Sequence, residues 1–131
     1  MGRALSRKCT LDVADTRENE EAFSRPGASR GWGGYPQLRF VSLVENGTHV
    51  LFGSRPGPCR TDERTLAKEV IGFLGKGMLC LADRHFFSYA LWNQTRATGA
   101  DLLWRVKKNL RLPCLKALND GSYLSKIYAS K

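Results

Sequence analysis

The sequence has no apolar run long enough to cross a membrane. Lys, Arg, Asp or Glu interrupts every apolar stretch well before the ~20 residues that a spanning helix needs. The basic residues 1–8 are not followed by an apolar segment, which argues against a secretory signal. We therefore expect a soluble cytoplasmic protein with no membrane partner.

Cysteine is scarce, and the cysteines are far apart. The four residues Cys9, Cys59, Cys80 and Cys114 form no CxxC pair and lie near no His doublet. Neither a zinc site nor a redox motif is indicated by this spacing. We expect reduced and mostly buried thiols.

Acidic residues are few, above all in the C-terminal part. The 131 residues include 21 Lys and Arg against 12 Asp and Glu, and the formal net charge is +9. Residues 84–131 hold nine basic and two acidic side chains. This balance makes a nucleic acid a fair candidate partner. A solvated basic strand edge is the alternative explanation.

The N-terminal pattern predicts strands and one helix in a single domain. Residues 9–13 predict a short strand, followed by a loop over 14–35. Two β-prone runs, 38–45 and 48–55, flank Asn46-Gly47, a dipeptide typical of a two-residue hairpin turn with positive φ. The Pro-Gly-Pro sequence that follows is expected to end the strand.

The middle of the chain predicts a helix and then a strand-helix-strand unit. A helix capped by Thr61 is expected to begin at about residue 62, with an apolar face ending at Gly75. The apolar run 78–82 predicts a central strand covered on both faces. A helix over 86–98 and a strand over 102–106 complete a right-handed unit with parallel strands. The apolar face of the first helix consists of Leu66, Val70, Ile71 and Leu74.

The last part of the chain predicts a second hairpin. Residues 110–118 and 122–128 flank the turn sequence Asn119-Asp120-Gly121. The fold class is therefore α/β, with an antiparallel hairpin joined to parallel strands.

Asp83 is the best-placed acid for chemistry. It comes directly after the buried run 78–82, and functional groups in α/β sheets gather at the carboxyl ends of strands. An N-terminal cap of the helix near Phe86 is the alternative role. His85 without a partner is typical of a packed or capping residue, and Trp104 is typical of a core aromatic.

The order and spacing of several segments resemble bacterial insertion-sequence transposases of the DDE type, in the group named after insertion sequence four. The resemblance extends over nearly the whole chain. It is carried by residues 78–87 (MLCLADRHFF), 98–107 (TGADLLWRVK), 11–16 (LDVADT), 23–27 (FSRPG), 36–39 (PQLR) and 120–125 (DGSYLS).

The resemblance implies a ribonuclease-H-like mixed sheet with helices. It implies a single partial catalytic domain over 1–131, with the core in 1–109 and the beginning of a β insertion in 110–131. Two Asp and one Glu hold two Mg²⁺ ions in such cores, for strand cleavage and transfer in DNA transposition. Intact relatives can form oligomers.

The same resemblance assigns Asp83 to the second Asp of the triad, as a catalytic and metal-binding residue. Arg7 stands where the family has its first Asp, and the family's Glu is expected beyond Lys131. We therefore expect a truncated, inactive fragment with weak or no Mg²⁺ binding. An Arg7 guanidinium is expected to pair with Asp83 instead.

Basic residues near the strand ends are the candidates for phosphate contacts with DNA. Two further functions stay open: a non-catalytic, basic nucleic-acid-binding domain, and an unrelated α/β enzyme with Asp83 in a small-molecule pocket. The DNA-binding candidates are Arg84, Arg105, Lys107, Lys108 and Arg111.

Overall fold

The computed structural model describes residues 2–26 and 34–129, with the side chains of all of these except residues 6–9 and 52. The strands are β1 (Gly2–Asp12), β2 (Gln37–Glu45), β3 (Leu51–Pro58), β4 (Leu79–Ala82), β5 (Asp101–Trp104), β6 (Lys116–Ala117) and β7 (Tyr123–Leu124). The helices are α1 (Arg17–Phe23), α2 (Glu63–Val70) and α3 (Tyr89–Ala97), and a 3₁₀ turn spans Ile71–Phe73.

The five longer strands form one mixed sheet in the order β3-β2-β1-β4-β5. Strands β1, β2 and β3 are antiparallel neighbours, whereas β4 is parallel to both β1 and β5. The predicted α/β class and the parallel strand-helix-strand unit are confirmed. The longest of these helices has nine residues, whereas a membrane span needs about 20, so none of the described helices could cross a bilayer.

The first hairpin pairs as predicted, but its turn differs. The amide of His49 donates to the Glu45 carbonyl at 2.8 Å, and β3 begins only at Leu51. His49 has a φ of 59°, while Gly47 is not among the positive-φ glycines. The predicted two-residue turn at Asn46-Gly47 is therefore wrong. Within the longer turn that forms instead, the Thr48 hydroxyl donates to the Glu45 carboxylate.

Strand β3 continues through Pro56 and Pro58, where the sequence predicted a break. The strand lies at the edge of the sheet, and among the described strands it pairs with β2 alone. Proline is tolerated at such an edge because it removes no hydrogen bond from a second neighbour. Gly57 is also favoured here, since a Cβ at this position would lie 2.8 Å from Leu66 Cδ2.

Two predictions for the N-terminal part need correction. Strand β1 has 11 residues, and not only the predicted 9–13, because it pairs with β2 on one side and β4 on the other. Part of the predicted loop forms α1, whose first turn is capped by the Thr16 hydroxyl, which accepts from the Asn19 amide at 3.2 Å. The segment 27–33 of that loop lies outside the described residues.

Helix α2 lies against the sheet with its predicted apolar face buried. Asp62 caps it, and not Thr61, by accepting from the Arg64 amide at 3.0 Å. Leu66, Val70, Ile71 and Leu74 all belong to the core, which also contains Val41 and Leu43 of β2, Cys80 and Ala82 of β4, Phe86, and Leu91 of α3.

Strand β4 is buried on one face, and not on both as predicted. Cys80 is fully buried, whereas Leu79 is 36% exposed. Leu103 of the neighbouring β5 is 65% exposed. The buried residues of α2 and α3 belong to the same core as Cys80, so these helices cover only that face of the sheet, and this explains the difference.

The remaining elements are shorter than predicted. Helix α3 begins at Tyr89, and not near residue 86, because the Ser88 hydroxyl accepts from the Leu91 amide and caps it there. Strand β5 ends at Trp104, two residues early. The second hairpin is antiparallel as predicted, with a positive φ at Gly121, but β6 and β7 have only two residues each. The division of the chain at residue 109 stays a prediction.

Candidate nucleic-acid interface at the strand ends

Asp83 and Arg105 lie side by side at the carboxyl ends of two parallel strands. Asp83 follows β4, and Arg105 follows β5. The Arg105 amide donates to the Ala82 carbonyl at 3.0 Å, which extends the pairing of these strands by one step. Both residues line one depression of about 370 Å³, here called the Asp83 depression; Ala4, Leu5, Leu81, Ala82 and Leu103 complete its wall.

The Asp83 carboxylate is half exposed and belongs to a tight turn. The His85 Nδ1 lies 3.5 Å from Asp83 Oδ1. Desolvation raises the pKa of Asp83, but the His85 imidazole and the backbone amides of Arg84 and His85 outweigh it, so the pKa falls below its ordinary value. The alternative role of Asp83 as a helix cap is wrong, because Ser88 caps α3. Asp83 instead stabilises the turn over 84–86.

Phe86 fixes this turn to the core. Its side chain is fully buried among the core residues. Its amide donates to the Asp83 carbonyl at 3.0 Å. Asp83, Arg84 and His85 are therefore exposed on a turn that is anchored at its end by an aromatic ring.

A second depression of about 350 Å³ lies on the other side of His85 and is here called the His85 depression. Strand β2 and the start of α2 both contribute to its wall. The lining residues are Arg39, Asp62, Glu63, Arg64, His85, Phe87 and Lys107. Neither Arg39 nor Arg64 is predictable as a site residue from local sequence patterns; the only signal is the position of Arg39 within the segment 36–39 that carries the family resemblance.

All five predicted DNA contacts are exposed. None of them forms an ion pair with another residue of the described ranges. Arg105 and Lys107 line the two depressions, and Arg84 directly follows Asp83. No contact joins Lys108 or Arg111 to either depression, so their part in the interface stays a prediction.

The described residues do not fit the pair of Mg²⁺ ions that the resemblance implies. Within 2–26 and 34–129, no group of three or more His, Cys, Asp or Glu side chains could hold a metal. Because β1 pairs with β4 at Ala4 and Leu81, Asp12 lies roughly 20 Å further along the strand than Asp83. Asp12 instead accepts from Gln37 Nε2 at 2.7 Å. The predicted pairing of Arg7 with Asp83 lies outside the described side chains.

Trp104 packs half-buried against the core, as expected for a structural aromatic. Its ring meets Trp92 edge-on, with centroids 5.4 Å apart. Burial raises the pKa of the Cys80 thiol to about 11, although the Trp104 side chain acts against this rise. Cys59 and Cys80 are buried free thiols and Cys114 is exposed, while the Cys9 side chain lies outside the description.

Comparison with known proteins confirms the resemblance to insertion-sequence transposases. Transposase InsG for insertion sequence element IS4, from Escherichia coli strain K12, is 29% identical over 118 residues, which are 88% of this chain and 27% of InsG. Putative transposase InsZ of the same organism is 27% identical over 90 residues, or 67% of this chain and 30% of InsZ. The chain thus spans less than a third of the length of these relatives. No family model and no solved structure matches it.

Proposed function

We propose that this chain is a segment of the catalytic core of a DNA transposase and that it binds DNA through the basic residues at its strand ends. The two relatives are transposases by name. The mixed sheet, with Asp83 at the end of a parallel strand next to the long β1, is compatible with a ribonuclease-H-like core. In that core Asp83 corresponds to the second Asp of the DDE triad.

The observation that carries DNA binding is the set of exposed cations around one half-exposed carboxylate. Arg84 lies two residues after β4 and Arg105 directly after β5, with Lys107 two residues further on, and none of the three forms an ion pair within the described residues. Asp83, the acid in the middle, has His85 beside it at 3.5 Å. A phosphate near these side chains would therefore meet net positive charge.

The chemistry of these groups suits a phosphodiester backbone. An Arg guanidinium offers a planar set of N–H donors that can bond two phosphate oxygens together, while a Lys ammonium acts as a point charge. Phosphate contacts of this kind position a duplex without reading its sequence. We therefore propose a non-specific contribution to DNA binding.

The proposal does not include strand cleavage by this chain. Mg²⁺ requires near-octahedral oxygen ligands, and a pair of ions needs several carboxylates at one point. Among the described residues, Asp83 is the one carboxylate that lines the Asp83 depression, and the position of the family's first Asp holds Arg7. An Arg there brings a positive charge to a position where the family has a metal ligand.

A charge-removal experiment tests DNA binding. Arg84→Ala/Arg105→Ala is compared with Lys68→Ala/Lys76→Ala, which removes the same charge from exposed sites on α2 and at the opposite end of β4. With a labelled 30-base-pair duplex in fluorescence anisotropy at 0.1 M salt, we expect the first variant to bind at least tenfold more weakly. The control variant should stay within about threefold of the original chain. Equal losses in both variants would contradict the proposal and leave only the net charge as an explanation.

A further inference from the structure

We propose that the His85 depression is a second phosphate site, which holds the DNA backbone beyond the Asp83 depression through Arg39 and Lys107, with the Arg64–Asp62 ion pair in its wall. The inference rests on the proposed DNA binding. It adds residues from β2 and α2 to an interface that the sequence placed only after Asp83. The ligand is a phosphodiester of the same duplex.

Three cationic side chains reach this depression from three separate parts of the fold. Arg39 comes from β2, Arg64 from the first turn of α2, and Lys107 from the segment after β5. Residues so far apart in sequence meet here only because the sheet and α2 pack together. A row of solvated basic residues along a single strand or helix would not bring together cations from three separate parts of the fold.

Hydrogen bonds within the depression leave part of its positive charge available. Arg64 is paired with Asp62, with its Nη2 at 2.8 Å and its Nε at 3.1 Å from Oδ2. That pairing, chiefly through the Arg64 side chain, lowers the pKa of Asp62. The Asp62 carboxylate is therefore ionised, and its charge is balanced by that of Arg64. Of the two other cations, Lys107 has no ion-pair partner among the described residues. Glu63 is the other acid in the wall, so the lining carries net positive charge.

Arg39 is held in a fixed orientation. Its Nη1 donates to the Thr61 carbonyl at 3.0 Å across the gap between β2 and α2. The side chain is only partly exposed, so its position is restricted by packing. A guanidinium has five N–H donors, and this bond uses one. The other donors of a restrained cation can bind a phosphate with less loss of side-chain entropy than those of a freely moving one.

The two depressions share no lining residue, but the same two short segments, 83–85 and 105–107, contribute to both. His85 faces Asp83 on one side and lines the His85 depression on the other. Arg105 lines the first depression and Lys107, two residues later, lines the second. We expect one duplex lying across the carboxyl ends of β4 and β5 to contact both Arg105 and Lys107.

Substitution of Arg39 tests the second site. Arg39→Gln removes the charge but keeps an N–H donor for the Thr61 carbonyl, and Arg39→Lys keeps the charge. Affinity for the labelled 30-base-pair duplex is measured from 50 to 200 mM salt, and thermal unfolding confirms that both variants are folded. Log K falls as log salt rises, and we expect this fall to be less steep in Arg39→Gln by about 0.9, the value for one lost phosphate contact. Arg39→Lys should keep most of the original slope.

The outcomes separate this inference from the proposed function. If Arg84→Ala/Arg105→Ala weakens binding while folded Arg39→Gln keeps the original slope, the second site is wrong and the proposed function stands. If neither variant changes binding, both fail. A third arm adds inorganic phosphate at constant ionic strength and measures thermal unfolding. Suppose phosphate protects the original chain but not Arg39→Gln, while both chains show the same salt slope for DNA binding. The depression would then bind a free anion, and the inference would be overturned.

Discussion

The His85 imidazole lies 3.5 Å from the Asp83 carboxylate, on a turn held in place by the buried ring of Phe86. This relationship explains why a lone acid is compatible with an otherwise basic surface. The histidine and two backbone amides favour the ionised carboxylate and, against the effect of desolvation, lower the pKa of Asp83. The neighbouring cations need not pair with it and stay open to another anion.

The Asp83 titration gives a first prediction. Because its pKa in the folded state lies below the ordinary value of 3.8, ionisation of Asp83 favours the folded state above about pH 4. That contribution disappears as the pH falls through the folded-state pKa. An NMR titration of the Asp83 carboxyl carbon should therefore give a value below 3.8, and His85→Gln should raise it. An unchanged value in His85→Gln would show that the imidazole does not stabilise the carboxylate.

The anchoring role of Phe86 gives a second prediction. Phe86 is 0% exposed, whereas Tyr89, three residues later, is 43% exposed. Phe86→Ala should lower the free energy of unfolding by about 3 to 5 kcal/mol, because it leaves a cavity in the core. Tyr89→Ala should lower it by no more than about 1 kcal/mol. Urea unfolding followed by circular dichroism measures both, and equal losses would place the Phe86 ring outside the core.

The cap of α3 gives a third prediction. The Ser88 hydroxyl accepts from the Leu91 amide at 3.1 Å, and Ser88→Ala removes this acceptor. The expected loss is about 1 kcal/mol of unfolding free energy. Ser88→Asp should restore most of it, since aspartate is also a good N-cap. A Ser88→Asp chain as unstable as Ser88→Ala would mean that the hydroxyl acts through another contact.

The order of the main elements could be predicted from the sequence, because apolar periodicity and turn residues are local signals. Strand β4, strand β5 and the buried face of α2 follow directly from such patterns. The end of strand β3 could not be predicted from local signals, because its tolerance of Pro56 and Pro58 depends on its position at the edge of the sheet. The one-sided burial of β4 likewise depends on which face α2 and α3 cover.

The site was only partly predictable for the same reason. Asp83 follows an apolar run, so a strand-end rule finds it. Arg105 lay inside the predicted strand 102–106, and its place at a strand end follows only from the earlier end of β5. Arg39 and Arg64 lie in segments with no basic excess, and they reach His85 and Lys107 only through tertiary packing. The start of α3 was predicted about three residues too early. Asp83 precedes the turn over 84–86, whereas Ser88 follows that turn and caps the helix.

Strand cleavage gives a fourth prediction, and it is negative. The purified 131-residue chain should neither nick nor join DNA with Mg²⁺ or Mn²⁺, because a single carboxylate in the Asp83 depression cannot hold a metal pair. A supercoiled plasmid provides the assay, and Asp83→Ala provides the control for a contaminating nuclease. Metal-dependent nicking that disappears in Asp83→Ala would show that a competent site exists in this chain.

The salt dependence of DNA affinity is the sharpest test of phosphate contacts by the cations at the strand ends. If about four of the cations at the strand ends contact phosphates, log K should fall with a slope of about 3.6 against log salt, and affinity should drop ~100-fold between 50 and 200 mM. The measurement is fluorescence anisotropy of a labelled duplex, repeated with an unrelated sequence that should bind equally well. A slope near zero, or no binding at 20 mM salt, would show that these cations do not bind DNA phosphates.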